Sequence, residues 1–390
     1  MIGKKINIIF FSANRAEYTL IQPFLKIFSS NKKFNVGLIV AGSHLDKKFG
    51  TTFHEIEKDN IKILSKIKVP LKTNTLADTA EYSNLLQKEI NKKLKKIKAD
   101  IIFLSSDRFE TFAFAVSAYL RKIPIIHYEG GDITEGGALD DNLRHAITKL
   151  SNIHLTSNKF SLSRIIKMGE ENWRCLNVGY SPLYSIDLPK FNYLKIIEQF
   201  DLIRNRPFIL FTLHPLILEK NKFKKEINES FKALEKLYKL KFQILITYPN
   251  FDPGYQAIID KITEFKKKYK ETKVIKNLGK QNYHSLLYYI GKVQNGACVG
   301  NSSSGIKEAI IFNCPSINIG DRQKSRLKPY NVVDARPNNK EIVNIIKHNL
   351  KLKIKSGKNP YKLNKSFYNS PKFIINLLRK SILMKKKCIL

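Results

Sequence analysis

The feature that most constrains the fold is a repeated alternation between short apolar runs and longer stretches with helical periodicity. The apolar runs at residues 6–11, 34–40 and 100–104 predict buried strands, and residues 76–97 have the spacing of a helix. A second series of the same kind begins with the apolar run at 208–212. Strands that alternate with helices form a parallel sheet covered on both faces. We therefore predict an α/β protein with two Rossmann-like halves.

The length of the chain limits the number of domains. Its 390 residues are enough for two domains of ordinary size, each with its own core. A stretch at 182–206, interrupted by prolines, is predicted to link them. We place the first domain at 1–185 and the second at 186–365, followed by a C-terminal helix and basic tail at 366–390. Two doubly wound halves that face each other would put the carboxyl ends of both sets of strands around one cleft.

The charge of the chain is strongly positive, with a formal value of +36 at pH 7. Most of the excess is lysine, spread along predicted helices such as those at 92–98 and 266–270. No nucleic-acid-binding motif accompanies these lysines, so we predict no nucleic-acid partner. An affinity for anionic substrates or for membrane surfaces suits this charge better, and the lysines at 385–387 are one candidate for the latter.

Cysteine usage and hydropathy indicate the compartment. Cys175, Cys298, Cys314 and Cys388 are scattered, without the paired spacing of a disulfide framework or a metal site. The apolar run at 6–11 is too short for a secretory signal, and no apolar stretch approaches the length of a membrane span. These features predict a cytoplasmic protein with no membrane insertion and no bound metal.

A glycine-rich acidic segment at 127–145 is the first candidate site. Functional groups of α/β proteins lie in loops at the carboxyl ends of strands, and this segment follows a short apolar strand. By that rule the first half contributes Arg15, His44, Asp107, Glu129, Asp141, Arg144 and His145. Crowded carboxylates titrate at different pH values and can serve as acid and base. Structural alternatives remain, because Asp107 or Asp141 can cap a helix and His44 can be a packed histidine.

A run of serines at 301–305 is the second candidate site, because it joins a predicted strand directly to a helix. Backbone N–H groups and serine hydroxyls at a helix N-terminus suit a phosphate or diphosphate, although one serine can be an ordinary N-cap. The second half contributes Asn301, Ser302, Ser303, Ser304, Gly305, Glu308 and Arg322, together with His214 after its first strand. No Walker loop and no GxGxxG motif occurs, which disfavours ATPase and hydride-transfer chemistry.

Eight stretches, in order over nearly the whole chain, carry a resemblance to a known family. They are Asn14–Tyr18, Ala41–His44, Ser106–Glu110, Glu129–Asp132, Asp140–Leu150, Thr212–Pro215, Gly300–Glu308 and Asn318–Gln323. With these motifs the chain resembles the UDP-N-acetylglucosamine 2-epimerases, and among them the hydrolysing branch that serves sialic-acid-type sugar synthesis. One departure is Ser106, where the family commonly has glycine.

The resemblance implies GT-B-like paired Rossmann domains, with the last helix crossing back to the first domain. It also implies release of UDP and a free 2-epimeric sugar such as N-acetylmannosamine. In the family's route the C2 proton is removed, the nucleotide is lost to leave a 2-acetamidoglycal, and water is then added. No cofactor is expected, and we expect a homo-oligomer, either a dimer or a tetramer.

The resemblance implies that Asp107, Glu129 and Asp141 are the acid/base carboxylates. It implies that His214 lies near the diphosphate and that Arg15 is the first-loop arginine. The implied nucleotide-binding residues are Ser302, Ser303 and Glu308. The substrate alternative is a nucleotide-linked 2,4-diacetamido-6-deoxy sugar, as in legionaminic-acid synthesis. The functional alternatives are a glycosyltransferase of the same architecture, a non-hydrolysing epimerase and a nucleotide-sugar binding protein.

Overall fold

Two parallel sheets organise the chain, and each belongs to its own unit. The computed structural model describes residues 4–46, 52–70, 73, 75–134, 140–186, 191–216, 220–250, 252–293, 295–351 and 357–386. The first unit comprises Met1–Ile133, Asp140–Ser185 and Tyr361–Leu390, and the second comprises Thr134–Leu139 and Ile186–Pro360. Each unit alternates parallel strands with helices, so the predicted pair of Rossmann-like α/β folds is confirmed.

The strands of the first unit are β1 (Ile6–Ser12), β2 (Phe34–Ala41), β3 (Ile63–Ile67), β4 (Ile101–Ser105), β5 (Ile125–Tyr128), β6 (Ile153–Thr156) and β7 (Cys175–Asn177). Within the described residues their order in the sheet is β3-β2-β1-β4-β5-β6-β7, and all neighbours are parallel. The order reverses between β1 and β4. The carboxyl ends of these two strands therefore form the switch point at which open α/β sheets bind ligands.

The helices of the first unit that follow its strands are α1 (Arg15–Ser29), α2 (Phe53–Lys58), α3 (Leu76–Leu94), α4 (Phe109–Leu120), α5 (Asp140–Leu150) and α6 (Lys159–Lys167). The helix α1 begins where the Asn14 side chain accepts the N–H of Glu17. It buries an aromatic face against the sheet, and the ring centroids of Phe24 and Phe103 lie 4.9 Å apart. This packing is why β4 is buried along its whole length and shows no polar alternation.

The second unit repeats the pattern with α7 (Tyr193–Gln199), β8 (Phe208–Thr212), α8 (Lys220–Lys239), β9 (Gln243–Thr247), α9 (Tyr255–Lys268), β10 (Lys273–Ile275), α10 (Gly279–Val293), β11 (Gly296–Gly300), α11 (Ser303–Lys307), β12 (Ser316–Ile319), β13 (Val332–Ala335) and α12 (Asn339–Lys351). Its described strands have the order β10-β9-β8-β11-β12-β13. The sequence pattern does not predict β13, because this short edge strand is only partly buried. The reversal here lies between β8 and β11, which places the loops after these two strands side by side.

The C-terminal segment belongs to the first unit, which confirms the predicted return of the last helix, α13 (Ser370–Leu378). The buried guanidinium of Arg174 donates to the carbonyl oxygens of Leu383 and Lys385, each at 2.7 Å. These bonds satisfy backbone acceptors beyond the end of the helix. Within the part of the chain that the structure describes, no helix has the length and hydropathy of a membrane span.

Candidate active site

Two residues in the left-handed backbone region mark the ends of neighbouring strands in the first unit. Ser106 follows β4 with φ 75°, and Glu129 follows β5 with φ 69°. This region is unfavourable for residues with a Cβ atom, and such strain persists where the surrounding structure enforces it. Here the N–H of Ser106 donates to the carbonyl oxygen of Tyr128 at 3.0 Å. The two strand ends are thereby tied together, and they carry Asp107 and Glu129.

Arg144 is the centre of the first unit's polar cluster. Its side chain is only 1% exposed, and its guanidinium forms ion pairs with the carboxylates of Asp107 and Asp141. The same group donates to the carbonyl oxygen of Asp132 at 2.9 Å. Burial disfavours the charged guanidinium, but the neighbouring carboxylates, Asp107 first, outweigh burial and raise the pKa of Arg144. The arginine therefore stays charged and holds two predicted acid/base carboxylates in one place.

His127 supports the strand end from inside the sheet. Its Nε2 lies 2.8 Å from the carbonyl oxygen of Ser106, and its Nδ1 lies 3.1 Å from Oγ1 of Thr148. Burial lowers the pKa of His127 to about 3, so the ring is neutral and donates from Nε2 to the carbonyl. An added Cβ at Gly130 would lie 2.9 Å from both His127 Nδ1 and Thr148 Oγ1. The first glycine of the acidic segment is thus required by close packing around the histidine.

His44 and Arg15 lie at the first two strand ends. The ring of His44 is fully buried, with Nε2 2.8 Å from Ser12 Oγ and Nδ1 2.6 Å from Thr52 Oγ1. Burial lowers its pKa to about 3, and the charge of Arg15 contributes in the same direction. The structure thus places His44 in the packed role that the sequence left open as an alternative. Arg15 is partly exposed at the start of α1.

Besides Arg144, two predicted residues of the acidic segment, Asp141 and His145, occupy α5. Asp141 lies in the first turn of the helix, where a carboxylate interacts favourably with the helix dipole. His145 is partly buried, and burial, followed by the charge of Arg144, lowers its pKa. Residues 135–139, which complete the predicted loop, lie outside the described residues.

Glu17 is a buried carboxylate that connects the first loop to α4. It accepts the N–H of Ala13 at 2.7 Å and the hydroxyl of Thr111 at 2.6 Å. Burial, followed by the nearby carboxylate of Glu110, raises the pKa of Glu17 to about 8. Glu17 is therefore mostly protonated at neutral pH. It fixes the loop that carries Arg15 relative to the helix that follows Asp107.

In the second unit, Asn301 holds the loop after β8. Its side chain is fully buried; Oδ1 accepts the N–H of His214 at 2.6 Å, and Nδ2 donates to the carbonyl oxygen of His214 at 2.9 Å. The same Nδ2 donates to Oε1 of Glu226 at 2.8 Å. The carbonyl oxygen of Asn301 accepts from the Arg322 side chain at 3.2 Å. The predicted residues His214, Asn301 and Arg322 are thus brought together, with the Asn301 side chain directed into the protein.

The His214 ring is oriented by a backbone donor. The N–H of Asn250, which follows β9, points at Nδ1 of His214 at an N···N distance of 3.1 Å. A backbone N–H can only donate, so Nδ1 must be the acceptor. The proton of the neutral ring is therefore on Nε2.

The serine run has the geometry of a short capped helix. Ser302 is the N-cap of α11 and accepts the N–H of Ser304 at 3.4 Å, which matches the alternative of an ordinary cap. The hydroxyls continue as a chain, with Ser302 Oγ 2.8 Å from Ser304 Oγ and Ser304 Oγ 2.7 Å from the hydroxyl of Tyr283. Gly305 is buried, and an added Cβ would lie 2.7 Å from Ser316 Oγ. Ser303 is partly exposed at the first position of the helix.

Glu308 lies directly after α11 and is held by a histidine of α10. The distance between Glu308 Oε2 and His284 Nε2 is 2.6 Å, and both side chains are mostly buried. One carboxylate oxygen is thereby anchored inside the unit. In the part of the chain that the structure describes, no group of three or more metal-ligating side chains occurs.

Sequence reasoning missed several supporting residues, namely Glu17, His127, Thr148, Glu226, Asn250 and His284. Glu17, His127 and Thr148 lie inside stretches that the sequence singled out, but nothing in those stretches marked them as supporting residues, and the other three belong to no motif. The one local signal is a polar residue inside an apolar strand, as with His127 in β5. Such a residue must find a hydrogen-bond partner, but the sequence does not show which one.

The family of the chain follows from a match over most of its length. The family model described as UDP-N-acetylglucosamine 2-epimerase matches residues 26–370. The chain belongs to the UDP-N-acetylglucosamine 2-epimerase family. The family indicated by the sequence motifs is thereby confirmed. Both polar clusters described above therefore belong to a member of a nucleotide-sugar epimerase family.

Curated relatives in this family include enzymes named as hydrolysing. A Campylobacter jejuni protein named GDP/UDP-N,N'-diacetylbacillosamine 2-epimerase (hydrolyzing) is 34% identical, over 87% of this chain and 86% of that protein. A Legionella pneumophila protein named UDP-N,N'-diacetylbacillosamine 2-epimerase (hydrolyzing) is 29% identical, over 84% of each chain. The Escherichia coli polysialic acid biosynthesis protein P7 is 27% identical, over 95% of this chain and 94% of that protein.

Solved structures support the fold. The Neisseria meningitidis UDP-GlcNAc 2-epimerase bound to UDP-GlcNAc superposes with a TM-score of 0.75 at 17% identity, covering 96% of this chain and 99% of that one. The Methanocaldococcus jannaschii UDP-GlcNAc 2-epimerase, in complex with UDP-GlcNAc and UDP, has a TM-score of 0.74 at 18% identity, covering 95% and 99%. At these identities the likeness concerns the fold alone.

Proposed function

We propose that this protein is a hydrolysing 2-epimerase that converts a UDP-linked 2-acetamido sugar and water into the free 2-epimeric sugar and UDP. The observation that carries the proposal is the Arg144 cluster. It gathers Asp107 and Asp141 around one buried guanidinium, beside the strand end that carries Glu129. Membership of the family and the names of the two hydrolysing relatives support the same reaction.

The first half of the reaction is an elimination. A carboxylate removes the weakly acidic C2 proton, and the electron pair of that C–H bond forms the C1–C2 double bond as the C1–O bond breaks. UDP leaves with the electrons of that bond, and a 2-acetamidoglycal remains. Asp107, Glu129 and Asp141 are the candidate bases, and Arg144 favours the ionised form of the two carboxylates that it contacts.

The second half is an addition of water. The water oxygen bonds to C1 and gives up a proton to a carboxylate or to solvent. The electron pair of the C1–C2 double bond takes up a proton at C2, on the face opposite to the one from which the first proton left. A second carboxylate has to act as the acid in this step, so a single general base is not enough. Asp107 and Glu129 at adjoining strand ends, together with Asp141 in the first turn of α5, suit a reaction that needs both roles.

The departing diphosphate requires groups that stabilise negative charge. We assign this part to the second unit, where His214 carries its ring proton on Nε2 and Arg322 lies beside Asn301. Serine hydroxyls and N–H groups at the start of α11 add neutral donors. Donors that are fixed before the charge develops stabilise the transition state more than flexible ones.

The substrate candidates are UDP-N-acetylglucosamine and UDP-N,N'-diacetylbacillosamine. The sequence motifs favour the first, through their resemblance to enzymes of sialic-acid-type sugar synthesis. The names of the Campylobacter jejuni and Legionella pneumophila relatives favour the second. The two sugars differ at C4 and C6, which lie away from the reacting carbons, so the same catalytic steps serve either one.

The test is incubation of the protein with each sugar nucleotide in deuterated water, followed by NMR. We expect UDP and a free 2-epimeric sugar with deuterium at C2. A UDP-linked epimer as the accumulated product would instead identify a non-hydrolysing epimerase. UDP release without deuterium at C2 would rule out the elimination, and the absence of turnover with both substrates would reject the proposed function.

The location and assembly of the protein stay predictions. The sequence favours a cytoplasmic homo-oligomer without nucleic-acid partners, and we propose that the enzyme works in that form. Light scattering of the purified protein at several concentrations measures the oligomeric state directly. Binding to a random DNA duplex should be no stronger than the salt-sensitive attraction that its positive charge produces.

A further inference from the structure

We infer that Glu226 and Asn301 are positioning residues that hold His214 as an Nε2–H donor for the diphosphate of the substrate. The inference rests on the proposed function, and it concerns residues of the second unit alone. Neither side chain is expected to touch the substrate. Both act through the backbone of His214, whose position determines where the ring lies.

The Asn301 side chain holds His214 on both sides of its backbone. The amide oxygen accepts the N–H of His214, and the amide nitrogen donates to its carbonyl oxygen, at 2.6 and 2.9 Å. The Asn301 amide thus makes the same two hydrogen bonds that the backbone of a paired β-strand residue would make. Because the asparagine is fully buried, water cannot replace either bond. The backbone of His214 is therefore held in one position.

The ring of His214 is set by a second contact. The backbone N–H of Asn250 donates to Nδ1, which leaves Nε2 as the protonated nitrogen. Protonation of Nδ1 would place two N–H groups against each other at a distance of 3.1 Å. The ring is thus held as a neutral donor and is not suited to deliver a proton from Nδ1.

Glu226 supports Asn301 from α8. Its Oε1 accepts from Nδ2 of Asn301 at 2.8 Å, and an added Cβ at Gly320 would lie only 2.2 Å from its Oε2. Gly320 has φ 72°, so the loop after β12 comes close to the carboxyl group in a conformation that favours glycine. Glu226 is therefore packed between the asparagine and this loop.

The charge state of Glu226 fits a purely structural role. Burial raises its pKa to about 8, although the hydrogen bond from Asn301 lowers it, and the charges of Arg322 and Asp321 act in opposite directions. At neutral pH the group is mostly a neutral acid, which avoids placing a negative charge behind a diphosphate site. A glutamine at this position keeps the acceptor oxygen and the neutral charge.

Asn301 is also hydrogen-bonded to the loop after β12. Its own N–H donates to the carbonyl oxygen of Thr212 at 3.2 Å, and its carbonyl oxygen accepts from Arg322 and from Gln323 at 3.2 and 3.1 Å. The ends of β8, β11 and β12 thus meet at one residue. A change at Asn301 is expected to displace both His214 and Arg322.

The experiment uses the full-length protein labelled with ¹⁵N-histidine, and the His214→Gln variant identifies the His214 signals among the eight histidines. Ring ¹⁵N shifts at neutral pH should show a proton on Nε2 and none on Nδ1, and added UDP should shift the Nε2 signal. A proton on Nδ1, a doubly protonated ring or no response to UDP would overturn the inference. This measurement needs neither turnover nor a folded variant of the two positioning residues.

Kinetics test the positioning roles separately. Asn301→Ala and Glu226→Ala should lower kcat about tenfold or more and raise KM less, because charge grows on the diphosphate as the C1–O bond breaks. Glu226→Gln should recover most of the loss seen in Glu226→Ala. Glu229→Gln is the matched control, since this partly buried carboxylate lies one turn further along α8 and is bonded to Lys232 and Asn339.

Unchanged kcat in both alanine variants would overturn the positioning roles. A Glu226→Gln variant as impaired as Glu226→Ala would overturn the neutral hydrogen-bonding role of Glu226. Failure of the proposed function is a different result, in which the wild-type protein has the expected His214 tautomer and UDP response but turns over neither sugar nucleotide.

Discussion

The polar centres of the two units are built in opposite ways. In the first unit, a buried guanidinium is surrounded by carboxylates, with Arg144 paired to Asp107 and Asp141. In the second unit, the centre is Asn301, whose side chain is bonded to the backbone of His214 and to the largely protonated Glu226. The N–H of Asn250 holds the His214 ring in its Nε2–H form. One centre concentrates charge, and the other replaces charge with fixed hydrogen bonds.

This difference matches two parts of one proposed reaction. Proton removal from carbon requires an ionised carboxylate, and a buried arginine keeps such groups ionised. A departing diphosphate is already negative, so carboxylate charge behind its binding groups would oppose it. The comparison predicts that charge-removing substitutions are damaging in the first unit and tolerated at Glu226 in the second.

The largest effect is expected for Arg144→Met. This change leaves Asp107 and Asp141 without their shared cation, and loss of one partner of a buried pair costs about 3 kcal/mol of stability. Activity should also be lost. The melting temperature and turnover should be compared with Arg336→Met, a control whose side chain is 87% exposed.

A triple variant sharpens this first prediction. Adding Asp107→Asn and Asp141→Asn to Arg144→Met removes the uncompensated charges, so it should recover much of the stability but none of the activity. If Arg144→Met has the same melting temperature as Arg336→Met, the ion pairs of Arg144 do not stabilise the first unit. The comparison between the two units then fails.

The second prediction concerns catalysis alone. Asp107→Asn and Glu129→Gln should each lower kcat by about a thousandfold, since general acid–base groups contribute on this order. UDP binding, measured by calorimetry, should change little, because the diphosphate groups are assigned to the second unit. Asp260→Asn on the exposed face of α9 is the control. Full activity in both variants would contradict the assigned roles.

The third prediction uses one buried glutamate from each unit. The pKa values of Glu17 and Glu226 are raised from 4.5 to about 8 by burial first. Both folded forms therefore hold a proton that the unfolded chain releases. Their contribution to stability is greatest below pH 4.5 and is lost as pH rises toward about 8.

Glu17→Gln and Glu226→Gln should each flatten the fall of melting temperature between about pH 6 and about pH 8. Each substitution removes a titration that changes the free energy of unfolding by at most about 1.4 kcal/mol per pH unit. Glu229→Gln should leave the slope unchanged, because surface hydrogen bonds lower the pKa of Glu229 to about 2 and the group is already ionised. Equal slopes in all three variants would show that neither buried carboxyl group titrates as described.

The smallest effect is expected at the strained strand end. Ser106→Gly removes the Cβ from a residue with φ 75°, so it should be about 1 kcal/mol more stable than Ser106→Ala, which keeps the strain. Both variants lose the 2.8 Å bond from the Ser106 hydroxyl to Asp107 Oδ1. Urea unfolding measures the difference between the two variants.

In the second unit, the matching substitution adds a Cβ atom to a residue with positive φ instead of removing one. Gly320→Ala should destabilise, because an added Cβ would lie 2.2 Å from Glu226 Oε2 at φ 72°. If Ser106→Gly is no more stable than Ser106→Ala, the left-handed conformation of Ser106 is not a source of strain.

The sequence predicted the fold and the segments that carry functional groups through local patterns, and such patterns depend only on residues that are close together in the chain. Strand and helix periodicities predicted both α/β units, whereas the return of the last helix to the first unit was implied by the family resemblance. The short edge strand β13 was missed, since partial burial leaves no apolar run. For the site, the sequence pointed to Asp107, Asp141 and Arg144 but not to their arrangement around one guanidinium. Asp107 and Arg144 lie 37 residues apart and meet only because parallel strands end at one edge.

Two glutamates of α8 show where sequence stops and tertiary structure begins. The sequence alone determined that Glu226 and Glu229 are acidic residues three positions apart on one amphipathic helix. The tertiary structure decided their chemistry, because Glu226 points into the unit against Asn301 while Glu229 contacts Lys232 and Asn339. Burial raises the pKa of the first to about 8, and hydrogen bonds lower that of the second to about 2. The degree of burial and the hydrogen-bond partners make the difference, and no local pattern of residue types specifies either for a single side chain.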